Sequence, residues 1–205
     1  MTKEQLKSDA LTKLEYLLNK YKAVKAVDTQ IENTKVEETQ KIEVLYTQLS
    51  EAQEALKGAT TLEIARQAKN SMDDISEDIE LQKAVSAKAV ETKKDELETV
   101  VMEFFEAYKA LKTAYVELDK EVALTINIRS LDEDEQVMKD ISIQASNFLG
   151  SIKRYLIKHG IIEKGEHKYK GFHLDQAPLD SYAQYVNVVK KLKPTKDNFS
   201  SQGIK

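Results

Sequence analysis

Three histidines, His159, His167 and His173, invite a chemical reading first, because Glu163, Glu166 and Asp175 lie among them. Imidazole and carboxylate together can hold a divalent cation or move a proton. Their spacing argues otherwise. Steps of eight and six residues match neither two ligands one helical turn apart nor a zinc-binding pattern. These residues are expected to be solvent-exposed loop histidines, with no metal bound.

Carboxylates cluster at Asp73-Asp74, at Glu77-Asp78-Glu80 and over 132–135. A general acid and base need a concave, partly dry pocket to separate their pKa values, and long paired helices offer little concavity. The clusters do not follow the calcium-loop pattern either. Solvated helix faces and helix N-termini account for them. The chain has no Cys, which removes disulfides, thiolate catalysis and Cys-ligated zinc together. It also lacks a Gly-rich phosphate loop, a G-x-S-x-G elbow and H-E-x-x-H. No catalytic, cofactor or metal residue is assigned, and the expected class is non-enzymatic.

The cations carry more information. Net charge is −4 overall, but from Gly150 onward 11 Lys/Arg face 5 Asp/Glu, whereas the preceding residues hold 20 against 30. Lys153, Arg154 and Lys158 share one helix. Lys164, Lys168 and Lys170 surround Tyr169 and Phe172, and Lys190, Lys191 and Lys193 end the last apolar run. Cations at a helix C-terminus complement the macrodipole, which is a structural reason for some of them. Interleaved with aromatics, they can also grip phosphates and stack bases. Nearly all are Lys, and sequence readers lean on Arg for bidentate base contacts. Nucleic-acid binding here would therefore be non-specific and salt-sensitive. The expected basic docking surface is Lys153, Arg154, Lys158, Lys168, Lys170, Lys190, Lys191 and Lys193, facing an acidic protein surface or phosphates.

What positions these residues is a set of long helices. In LETVVMEFFEAYKALKTAYVELDKEV, the residues Leu97, Val101, Phe104, Tyr108, Leu111, Tyr115, Leu118 and Val122 recur at alternating steps of four and three. That is one continuous apolar seam. A matching seam runs through Leu14, Leu17, Tyr21 and Val24, then Ile42, Leu45, Leu49, Ala52 and Leu56, with a polar interval and a stutter near 33–38. Gly58 would close the first helix in a left-handed conformation, and Thr60 with Glu63 would open the second. So short a connection favours antiparallel neighbours. With the tip near 58–61, facing residues should have numbers summing to about 119.

The fold class is all-α: a coiled-coil helical hairpin over 1–128, a third helix over 129–160, and a basic module with a polar tail over 161–205. Ser130 with Glu133 would cap the third helix, and Gly160 would end it. KYKGFHL is read as a small hairpin and the stretch from Pro178 as a short helix. Val101 and Phe104 should be covered by the first helix. Tyr115, Leu118 and Val122 lie beyond its reach, so they need the third helix or a partner. With Tyr182, Tyr185, Val189 and Leu192 they form the expected partner or self-association surface.

An N-terminus without an apolar segment suggests no signal peptide, and no stretch is apolar enough to span a membrane. A cytoplasmic location follows as an expectation. The layout, an acidic coiled coil followed by a basic C-terminal helical module, resembles bacteriophage scaffolding and other virion-assembly proteins across the whole chain. The resemblance implies a virion-associated assembly role. The function expected is a coiled-coil spacer or oligomerising scaffold that docks through its basic module. The alternative is a coiled-coil protein holding DNA or RNA non-specifically through the same region.

Overall fold

The protein is all-α. The computed structural model describes residues 1–124, 128–175, 179–183 and 185–186, without the side chains of 128–132, Asp180 and Tyr182. Three helices, α1 (Lys3–Lys57), α2 (Leu62–Leu124) and α3 (Ile128–Lys158), are followed by strands β1 (Lys168–Tyr169) and β2 (Phe172–His173) and a 3-10 helix at Leu179–Tyr182. They form two compact units, one of Lys25–Thr99 and one of Met1–Val24 with Val100–Lys205.

The helix ends are set by short-range chemistry. At the start of α1, the Thr2 amide donates to Gln5 Oε1 at 2.8 Å, and the Gln5 amide donates to Thr2 Oγ1 at 3.3 Å. This reciprocal box satisfies two first-turn donors. Gly58 does not take the left-handed conformation expected of it, since among the described glycines only Gly160, Gly165 and Gly171 have positive φ. Its amide instead continues the helical pattern to the Glu54 carbonyl, and the Ala59 amide closes on Leu56. The α2 cap is Thr61, one residue later than Thr60, with its hydroxyl accepting from the Ile64 amide. Ser130 lies inside α3, two residues past its start. Its side chain, and so the box with Glu133, falls outside the described residues.

In the unit Lys25–Thr99, α1 and α2 pair in opposite directions. Contacting residues are 63 apart at Gln30–Lys93 and 44 apart at Glu38–Gln82. Separation that shrinks by about two per residue advanced is the signature of an antiparallel pair. The partners lie up to about one turn later in α2 than a tip-centred fold-back predicts. Side chains on both helices lean toward their own N-termini, so contacts form between residues C-terminal to the shared level. Val27, Ile31, Ala68 and Ile79 are buried there. Glu38 is buried among them, accepting hydrogen bonds from Gln82 Nε2 at 2.7 Å and Ser86 Oγ at 2.8 Å, and pairing with Lys41.

The other unit packs three helices. Lys20 meets Glu103 at 2.7 Å, joining α1 to an antiparallel α2. Lys3 reaches Asp134 at 2.7 Å and Lys7 reaches it at 3.6 Å. Further along, Tyr21 stacks on Phe148 with ring centroids 4.7 Å apart and meets the Tyr155 hydroxyl at 3.4 Å. The separations of 131 and 134 for Lys3–Asp134 and Tyr21–Tyr155 barely change along the helices, so α3 runs parallel to α1. All eight residues of the α2 seam are buried, Leu97 in the Lys25–Thr99 unit and the other seven in this one. Burial of Phe105, Ala114 and Ala123 shows that α2 is covered on more than one face.

Candidate functional site

The basic region is built from the end of α3 outward. The helix stops at a Schellman motif: the Ile161 amide donates to the Leu156 carbonyl at 2.9 Å, and the Gly160 amide to the Ile157 carbonyl at 3.0 Å. Gly160 sits at φ +68°, which only glycine adopts without strain. Here the sequence reading holds.

The small hairpin is present, with Tyr169 opposite Phe172 and Lys168 opposite His173. Lys170 and Gly171 form its two-residue turn, both with positive φ, as a primed hairpin turn requires. One face of the hairpin is tied down. Phe172 stacks on Phe105 of α2 with centroids 4.6 Å apart, and Tyr169 lies 6.4 Å from the same ring. These aromatics pack against the helix and are not displayed for stacking on bases. The cations around it, Lys158, Lys164, Lys168 and Lys170, are exposed, and Lys170 Nζ sits 5.3 Å from the Tyr169 ring centroid.

Lys153 and Arg154 are differently placed. Lys153 is ion-paired with Asp175, which also pairs with His167. The Lys153 ammonium, and secondarily His167, hold the Asp175 carboxyl below its ordinary value. An ammonium already on that carboxylate makes the cluster a poor cation site. Arg154 is exposed and donates to Ser151 Oγ at 2.9 Å. The three histidines are not equivalent. His167 and His173 are exposed, but His159 is buried at the end of α3, contrary to the loop position expected of it. Among the described residues, no group of three or more His, Asp or Glu is arranged to hold a metal ion.

The chain then returns across the unit. The 3-10 helix packs on α3, and Leu179, Ala183 and Val186 are buried. Tyr185 and Val186 are helical, and their amides donate to the two oxygens of the Asp119 carboxylate at 3.0 and 3.1 Å. Asp119 is fully buried on α2, 66 residues earlier. Sequence reading did not single out Asp119 or Phe105, and it took Asp134 only as part of a solvated acidic cluster, whereas Asp134 is buried and paired with Lys3. A seam is legible by its period, whereas a lone acid or aromatic beside the seam gives no periodic signal.

Tyr115, Leu118 and Val122 are buried within the single chain, at 1%, 2% and 2% exposure, so they present no surface to a partner in this fold. Tyr185 is 48% exposed and takes the outer side of its segment, while Val186 takes the inner one. The Tyr182 side chain, Val189, Leu192, Lys190, Lys191 and Lys193 lie outside the described residues. Among those described, no helix is long and apolar enough to cross a membrane.

Comparison with protein-family models, with curated proteins and with solved structures finds no match in any of the three. The geometry therefore stands alone as the basis for a functional reading.

Proposed function

We propose that this chain is a non-enzymatic assembly or interaction protein: a helical-hairpin spacer that docks through its basic C-terminal region onto an acidic protein surface. One observation carries the reading. The hairpin turns its aromatic face onto Phe105 and leaves Lys164, Lys168 and Lys170 exposed, with Lys158 exposed at the end of α3 and a Lys-rich sequence following. Exposed ammonium groups on and beside a two-stranded hairpin suit an acidic surface with spread charge, because Lys acts as a compact point charge rather than a planar fork. Electrostatic complementarity of this kind speeds and orients docking.

The nucleic-acid reading keeps the same cations and loses the aromatic stacking that single-stranded binding uses, since Tyr169 is buried and Phe172 packs on α2. It survives as phosphate contact alone.

The test is the solution mass of the full chain by light scattering across concentration and salt. It is paired with titration of polyglutamate and of a DNA duplex into the chain and into a Lys158→Glu/Lys168→Glu/Lys170→Glu variant. Self-association or polyglutamate binding that the variant loses supports the proposal. DNA binding that falls steeply with log salt favours the alternative. A chain that stays monomeric and binds neither probe would sink both.

A further inference from the structure

We infer that Asp119 is a clasp holding the C-terminal strap, Leu179–Val186, on the three-helix unit, and that through this hold it influences docking by the Lys-rich sequence that follows. Helices normally take their N-terminal cap from the residues just before them. For the amides of Tyr185 and Val186 the acceptor is far away in sequence. The acceptor comes from α2 instead. Asp119 Oδ2 takes the Tyr185 amide and Oδ1 takes the Val186 amide, so each oxygen has its own donor. Only a carboxylate fits this arrangement, because an amide of the same shape would turn an N–H toward one of the two donors.

The position gives the contact its consequence. Asp119 follows Leu118 of the buried seam and is itself fully buried on α2. Tyr185 and Val186 are therefore tied to a side chain in the buried interior of the unit. The residues after them contain Lys190, Lys191, Lys193, Lys196 and Lys205 against Asp197. The strap has a second attachment, the burial of Leu179, Ala183 and Val186. The clasp adds direction to that apolar contact, since a hydrophobic face alone permits sliding and two aligned hydrogen bonds do not.

The effect on docking rests on the function proposed above; the clasp itself does not. The test is amide hydrogen exchange on the full chain and its Asp119→Asn variant, with polyglutamate binding measured on both. Exchange at Tyr185 and Val186 is expected to rise about tenfold or more in the variant, while the Leu111 and Tyr115 amides of α2 keep their protection. Unchanged exchange at 185–186 overturns the clasp, because apolar burial alone would then hold the strap. Loss of protection throughout α2 also overturns it, because Asp119 would then be a core residue and not a separable clasp. If the two amides open while polyglutamate affinity is unchanged, the clasp stands and its control over docking fails. Deleting 187–205 separates that outcome from failure of the docking proposal: only if the truncated chain binds polyglutamate as the full chain does is the Lys-rich sequence irrelevant.

Discussion

Phe172 lies flat on Phe105, the ring planes 12° from parallel and the centroids 4.6 Å apart, although 67 positions separate them in sequence. This stack anchors a hairpin whose strands are only two residues long, too short to be stable alone. Phe105 is fully buried, so Phe105→Ala should cost about 3–5 kcal/mol. Phe172→Ala should cost less, because Phe172 keeps some exposure. Urea unfolding of both variants would check the order. Equal midpoints would mean that the hairpin does not depend on the buried ring.

Asp134 gathers Lys3 and Lys7 at the start of the three-helix unit. Its side chain is 7% exposed and that of Lys3 is 17% exposed, so solvent screens the pair only partly. The hydrogen bond to Asp134 holds the Lys3 ammonium above its ordinary pKa, against the opposing effect of burial. Asp134→Ala leaves two ammonium groups beside a buried gap and is expected to cost about 1–3 kcal/mol. Lys3→Met should cost less, since Lys7 remains. Thermal unfolding that ranks Lys3→Met as the worse change would contradict this account.

Glu38 gives the coiled-coil unit a pH dependence. Hydrogen bonds from Lys41, then Ser86, with Gln82 contributing less, hold its carboxyl below the ordinary 4.5 despite the desolvation that opposes them. A depressed folded pKa means stability that is present above about 4.5 and lost as pH falls through the folded value. Acid titration of helix content should show the Lys25–Thr99 unit weakening below pH 4.5, and Glu38→Gln should flatten that part of the curve. An unchanged acid limb in Glu38→Gln would show that other carboxylates dominate.

Two glycines at helix ends should respond oppositely to alanine. Gly160 has φ +68°, so Gly160→Ala should destabilise by about 1–2 kcal/mol although its Cβ would meet nothing within 4 Å. Gly58 lacks that conformation, and its added Cβ would lie 3.5 Å from the Glu54 carbonyl, an ordinary contact. Gly58→Ala should be neutral or stabilise by up to about 1 kcal/mol through the unfolded chain. Denaturant midpoints decide it, and a loss at Gly58 comparable to that at Gly160 would require a left-handed Gly58.

Much of the helical skeleton is written in local order. The period from Leu97 to Val122 marks a buried face whatever covers it, and all eight of its residues are buried. The Gly160 stop is equally local, because a left-handed residue and two backbone hydrogen bonds need only their near neighbours. The T-x-x-Q box at Thr2 and Gln5 is equally local, although sequence reading did not single it out. The Gly58 reading failed because glycine permits a left-handed turn without requiring one.

What covers each face was decided by tertiary packing. The seam shows that Tyr115, Leu118 and Val122 need cover, but periodicity cannot distinguish a partner from the same chain, and the chain closes over them itself. The aromatics beside the lysines look like a stacking surface in sequence; Phe105, on a helix more than sixty residues away, turns them inward. Asp119 is one acid among 35 acidic residues until the fold carries Tyr185 and Val186 to it. Burial periodicity and capping arise from neighbours a few residues apart, so the sequence determines them. The occupant of a face and the partner of a lone charge are long-range choices, and only the packed chain makes them.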